Sequence, residues 1–224
     1  MSGGAYLYEL GITPYREALA TMGELAAARS QGAIPDTVML LEHEPVITLG
    51  SRAVRGEELL LAAVEYTRRG IEVVEVSRGG RSTYHGPGQL VCYPVLDLHE
   101  RGKDLHRYVA DLERVIIAAL AAFDVEGNVI EGDHASGVWV EQRKIASIGV
   151  RCARWVTTHG LSLNVDLDVA VYDLFDACGM GGADFTSLAA ESGQSLTVED
   201  VRPALREAYE QVFDIAFDPL PAAV

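Results

Sequence analysis

Arg78-Gly79-Gly80-Arg81-Ser82-Thr83-Tyr84-His85-Gly86-Pro87-Gly88-Gln89 is the stretch around which the chain is read. Before it, Ile71 to Ser77 alternates apolar and polar residues, the pattern of a half-buried strand. After it, Gln89 to Leu98 is again strand-like. A glycine-rich turn joining two strands is the plain reading. The stretch from Arg78 to Gly88 is eleven residues, however, and hairpin connections usually take about two to five. Glycine lets a backbone approach a ligand closely, and Thr83, Tyr84 and His85 add polar groups and an aromatic wall. No Gly-Lys-Ser/Thr follows, so it is not a phosphate loop, and the glycine spacing is not that of a dinucleotide site.

Further out, the pattern predicts a strand at Ala5–Leu10 and a helix opened by Thr13-Pro14 that runs to about Gly32. Strand-length apolar runs follow at Thr37–Glu42 and Val46–Leu49, then helical character from Glu57 to Gly70. Asp104 caps a long helix reaching about Phe123. Three consecutive strand candidates come next, Gly137–Glu141, Lys144–Cys152 and Trp155–Val165. A short helix near Ala170–Phe175 leads into Cys178, and Thr197 to Asp200 resembles a capping box before a final helix. Strands come in groups rather than alternating with helices. This predicts an α+β layer fold, a mixed, largely antiparallel sheet flanked by helices, as one domain over residues 1–224.

Composition narrows the function. The net charge of −15 speaks against nucleic acid as a partner, because phosphate binding needs a basic face. The basic residues cluster instead at Arg78, Arg81, Arg143, Lys144, Arg151 and Arg154: either solvated strand ends or a local rim for an acidic partner. The start of the chain lacks the pattern of a signal peptide, and no apolar run approaches the ~20 residues of a membrane span. Three cysteines without paired spacing suggest free thiols and a reducing, cytoplasmic setting. The six histidines show no zinc-ligand spacing, so no metal is expected.

Cys92 and Cys152 sit in apolar, strand-like runs and read as small buried hydrophobes. Cys178 differs, with Gly179, Gly181 and Gly182 downstream giving a thiol open access and backbone N–H groups for an oxyanion. A cysteine in a plain surface loop is the other reading. Lysine usage is the second clue. The chain has sixteen arginines and only Lys103 and Lys144 as lysines, so a lysine stands out as a cation able to lose its proton. Lys103 is a solvated charge before a helix. Lys144 opens the apolar strand and is either an edge lysine or a partner that lowers a thiol pKa.

Together these segments resemble the lipoyl(octanoyl) transferases from about Val38 to Leu188. The resemblance is carried by the Arg78 stretch, Ser136-Gly137-Val138-Trp139, Lys144 to Val150, Thr158 to Asn164, and Cys178-Gly179 with Thr186-Ser187-Leu188. It implies the fold of biotin and lipoate protein ligases. It also implies transfer of octanoyl from acyl carrier protein to a lysine of a lipoyl domain, with no cofactor. The acceptors implied are the lipoyl domains of 2-oxoacid dehydrogenase E2 subunits and the glycine cleavage H protein. Cys178 would be the nucleophile and Lys144 its pKa-lowering partner. Arg78, Gly79, Gly80, Arg81, Ser82, Thr83, Tyr84, His85, Ser147, Ile148, Gly149, Gly160, Leu161 and Ser162 would line the acyl site.

The chain departs from the family's pattern in three places. Ala177 stands where proline is frequent, Met180 where isoleucine is usual, and Arg81-Ser82 where Gln, Asp or Lys precedes an aliphatic residue. Three other readings share the motifs. An amidotransferase would move the acyl group between protein lysines. A lipoate ligase would need ATP and not Cys178. A binding module would hold a carrier without turnover.

Overall fold

The computed structural model describes residues 3–130, 136–177 and 180–219. Cys178, Gly179 and His134 fall outside these described residues. Among the described residues, ten strands form two sheets. The strands are β1 (Gly3–Thr13), β2 (Asp36–His43), β3 (Val46–Leu49), β4 (Glu72–Glu75), β5 (Ser82–His85), β6 (Gln89–Val95), β7 (Gly137–Val140), β8 (Arg143–Ala153), β9 (Val156–Asn164) and β10 (Ile215–Asp218). The helices are α1 (Tyr15–Ser30), α2 (Arg55–Glu58), α3 (Ala63–Arg68), α4 (Leu105–Ala121), α5 (Leu188–Ser192) and α6 (Val198–Phe213).

The large sheet runs β10-β1-β2-β6-β9-β8-β7. Its β10–β1 and β1–β2 pairings are parallel, and the rest are antiparallel. The small sheet, β4-β3-β5, is a separate layer that the sequence pattern did not distinguish. Alternation along β2 and β6 sends side chains to opposite faces. Val38, Leu40, Leu90 and Cys92 enter a core with α4 and α6. Met39, Leu41, Val91 and Tyr93 enter another with Ala18 and Met22 of α1. In α4 the buried positions Tyr108, Leu112, Val115, Ile116 and Ala119 recur every three to four residues. Asp104 caps it by accepting a hydrogen bond from the Arg107 N–H at 3.0 Å.

Four expectations change in detail. The glycine-rich stretch is not all loop, because Ser82–His85 pairs antiparallel with β3 as β5. Helical character from Glu57 to Gly70 is broken into α2 and α3, since Leu59 leaves the helix to bridge Phe175. Thr13 remains in β1, so Pro14 is the cap residue of α1 rather than its first helical residue. The element leading toward Cys178 is a 3₁₀ turn, Val169–Leu174, rather than an α-helix. The final strand β10 was not anticipated; it joins the parallel edge beside β1.

β7 pairs with β8 only up to Ser147. Beyond that point the Gly79 N–H donates to the Val150 carbonyl at 2.9 Å, so the glycine-rich stretch covers the open edge. Gly149 and Gly160 face each other across β8 and β9. A Cβ on Gly160 would run into the Cys92 carbonyl oxygen and stand 2.5 Å from Pro94 Cδ. We therefore expect Gly160→Ala to lower the unfolding free energy by about 2–3 kcal/mol, since backbone cannot yield cheaply. Urea titration measures this, and a change within about 0.5 kcal/mol would show that the sheet relaxes freely.

Candidate active site

Between β5 with its preceding loop and the β8–β9 pair lies a cleft of about 530 Å³. Arg78, Gly79, Gly80, Arg81, Ser82, Thr83, His85, Lys144, Ser147, Ile148, Gly149, Gly160, Leu161 and Ser162 all line it. Residues from three distant stretches of chain are thus brought to one cavity. Tyr84 is the exception among the residues expected there. Its ring turns to the other side of β5 and packs with Ile47, Tyr172 and Phe175 in a separate core. Sequence reasoning left out Arg52, Tyr93, Leu105, Val109 and Phe185, which also line the cleft. Leu105 and Val109 could have been found by their spacing, one helical turn apart at the start of α4.

Lys144 is buried, with 6% exposure, so the edge-lysine reading fails. Its Nζ lies 5.4 Å from the centroid of the Trp139 ring, a cation–π distance. Its backbone is tied to the segment after Cys178: Phe185 bridges Lys144 in parallel register, and the Thr186 N–H donates to the Lys144 carbonyl at 3.0 Å. Ala177 and Met180, the described residues flanking Cys178-Gly179, both line the cleft. Downstream, Asp173 Oδ1 accepts from the Gly182 N–H at 2.7 Å and Asp184 Oδ2 from the Gly181 N–H at 3.0 Å. Upstream, Ser82 Oγ donates to the Asp176 carbonyl at 2.5 Å. The two departures at Arg81 and Ser82 meet the same buried carboxylate. Glu58 accepts from Arg81 Nε at 2.5 Å and from the Ser82 N–H at 2.9 Å.

The inner wall is polar. Arg78, expected on a basic rim, is buried instead, donating to Thr48 Oγ1 at 2.7 Å and to the Thr48 carbonyl at 2.8 Å. Lys144 leaves the rim for the same reason, and Arg143 spans to Glu191 at 2.9 Å. Around Arg78 stand His43, His85 and His159, all buried. His43 Nε2 pairs with Tyr93 Oη at 2.8 Å, and His85 Nδ1 with Gln89 Oε1 at 2.7 Å. Burial drives the His43 pKa down to about 4. Burial, then the Arg78 and Arg151 charges, brings His159 to about 4 as well. His85 is pushed well below the ordinary value by burial and by His43. Burial lifts the Cys92 thiol well above its usual range, which suits a buried hydrophobe. Cys152 is only half-buried. Among the described residues no group of His, Cys, Asp and Glu could hold a metal ion.

These depressed histidines make the fold acid-sensitive. The unfolded chain takes up a proton on each near pH 6.5, the folded chain only near about 4. Their stabilising contribution is complete above about pH 6.5 and falls as pH drops toward about 4. His43 and His159 should each cost roughly 2 kcal/mol between pH 7 and pH 5. Urea midpoints at the two pH values test this; equal midpoints would mean that the rings are not held neutral.

The family pattern of the lipoyl protein ligase A/B catalytic domain matches residues 14–210. An octanoyltransferase of Chloroflexus aurantiacus is 44% identical over 210 residues, covering 92% of this chain and 93% of its own. The fold is similar to that of a lipoate-protein ligase A solved with ATP, with a TM-score of 0.78 at 17% identity over 97% of this chain and 88% of that one. It is also similar to the biotin protein ligase of Aquifex aeolicus, with a TM-score of 0.53 at 10% identity over 96% and 70% of the two chains. By the extent of these matches, the chain belongs to the octanoyltransferase family, built on the fold of the lipoate and biotin protein ligases.

Proposed function

We propose that residues 1–224 act as one catalytic domain that moves an octanoyl group from acyl carrier protein to a lysine of a lipoyl domain, through a thioester on Cys178. The observation that carries this reading is the shared cleft: Lys144 lines it together with Ala177 and Met180 on either side of the Cys178 segment. The thiolate of Cys178 attacks the donor thioester carbonyl. A new C–S bond forms, the carrier's C–S bond breaks, and the carrier sulfur leaves as thiolate and takes a proton. The ε-amine of the acceptor lysine then attacks the acyl-enzyme. Its C–N bond replaces the enzyme's C–S bond, and the amine proton returns to the site. Lys144 as ammonium favours the thiolate and as amine accepts that proton. Thioester exchange is nearly balanced and amide formation runs downhill, so ATP has no role.

Ile148, Leu161 and Phe185 offer the acyl tail apolar contact, worth ~0.8 kcal/mol per buried CH₂. The preferred acceptors would be the lipoyl domains of 2-oxoacid dehydrogenases and the glycine cleavage H protein, in a reducing cytoplasmic setting. Among the described residues no helix is long and apolar enough to cross a membrane.

Intact mass after incubation with octanoyl carrier and no ATP tests the reading. A hydroxylamine-labile octanoyl adduct should form, vanish in Cys178→Ser, and pass to a lipoyl domain. Absence of an adduct with a competent carrier would overturn it. Of the basic rim expected from the sequence, exposed Arg151 and Arg154 remain, Arg143 being tied to Glu191, and exposed Arg52 at the cleft is added to them. Replacing these three by Ala should raise the donor KM about tenfold at low salt and flatten its salt dependence, because acyl carrier proteins are acidic. An unchanged salt slope would remove the rim from donor recognition.

A further inference from the structure

Glu58 is an acidic side chain with no exposure, an unusual place for a carboxylate unless its charge is spoken for. One oxygen takes Arg81 Nε at 2.5 Å, and the other takes the Ser82 N–H at 2.9 Å. Arg81 and Ser82 both line the cleft, so one carboxylate holds two consecutive residues of its wall. Its backbone points the other way. The Glu58 carbonyl accepts from the Asp176 N–H at 2.8 Å, and the next residue, Leu59, bridges Phe175. Ser82 closes the loop, its Oγ donating to the Asp176 carbonyl at 2.5 Å. Arg81 adds an ion pair, with its second nitrogen 3.9 Å from Asp176 Oδ2. Both backbone polar groups of Asp176 are therefore engaged, one by Glu58 and one by a residue that Glu58 holds.

We propose that Glu58 is a positioning residue, which fixes Asp176 against the cleft wall and thereby places the chain that carries Cys178 two residues later. Three contacts from one buried residue and its immediate partners converge on Asp176 in an otherwise irregular segment. An ordinary surface ion pair would leave its members exposed and would not also grip a backbone amide and carbonyl. Four residues of α2 are too few to be a stable helix alone, and their packing is explained by this coupling rather than by propensity. Glu58 touches no reacting atom; it acts through Arg81, Ser82 and Asp176. The inference rests on the acyl-transfer reading for its consequence in turnover, while the coupling itself does not.

Glu58→Gln keeps the shape and one acceptor but removes the charge that holds Arg81. A displacement of about 1 Å at a reacting group can cost up to ~10²-fold in rate. Single-turnover acylation at saturating octanoyl carrier should fall at least about tenfold, with the donor KM held within about twofold. Iodoacetamide alkylation of Cys178, corrected by the Cys178→Ser background, should slow, and its midpoint should move to higher pH. A purely structural role would lower the melting temperature without moving that midpoint. Should Glu58→Gln fail to fold, Ser82→Ala strands no charge and should show the same changes at smaller amplitude. Wild-type acylation rate and alkylation midpoint in the folded variant would overturn the proposal. If the wild-type chain forms no octanoyl adduct, the acyl-transfer reading fails instead, and the alkylation comparison still decides the role of Glu58.

Discussion

Two side chains that are not there hold the architecture open. Gly149 and Gly160 lie opposite each other on β8 and β9. A Cβ on Gly149 would stand 3.1 Å from Arg78 Cδ and 3.3 Å from the Gly79 carbonyl oxygen. Because Gly149 is bare, the glycine-rich stretch can sit directly on the large sheet, and because Gly160 is bare, β9 can lie close against β6. Arg78 then reaches through to Thr48 of β3 and ties the small sheet to the large one. The cleft is the space left between them. Its floor, its inner wall and its covered strand edge all follow from this close approach.

The inner wall shows how an acidic protein can keep a basic centre without making it a docking surface. Arg78 is buried with its hydrogen bonds directed at Thr48 and at the Gly79 carbonyl. Its charge and the loss of solvent together hold the neighbouring rings neutral. The cavity is bounded by the neutral rings of His85 and His159 and by Tyr93, with Arg78 and Lys144 buried in its wall. In the proposed function, an acidic partner would meet the exposed arginines Arg151 and Arg154 instead. Net charge and local charge thus serve different purposes in the same molecule.

Much of this was legible because repeated physical patterns report on themselves. The 3.6-residue spacing of α4, the cap at Asp104 and the alternating strands β8 and β9 need only their own residues to be read. The bare glycines and the scarce lysine marked the cleft, since such choices are costly without a reason. Other features are written in pairs of distant residues and were not legible. β5 looked like loop because its partner, β3, lies some thirty residues away. Arg78 looked like a rim charge because nothing local announces Thr48. Tyr84 was counted with its neighbours, although strand alternation alone turns it to the opposite side. Glu58 gave no sign at all, being the second of two adjacent acids just before an apolar run.

The contact between Lys144 and Trp139 carries a consequence of its own. The indole sits within 5.4 Å of the one lysine amine in the cleft, while Trp155, the other tryptophan of the chain, stands at the far turn joining β8 to β9. Indole emission responds to a charge held against the ring. The protein therefore contains an intrinsic fluorophore held against the one lysine amine of its cleft, and whatever displaces that amine is announced in light, without a label.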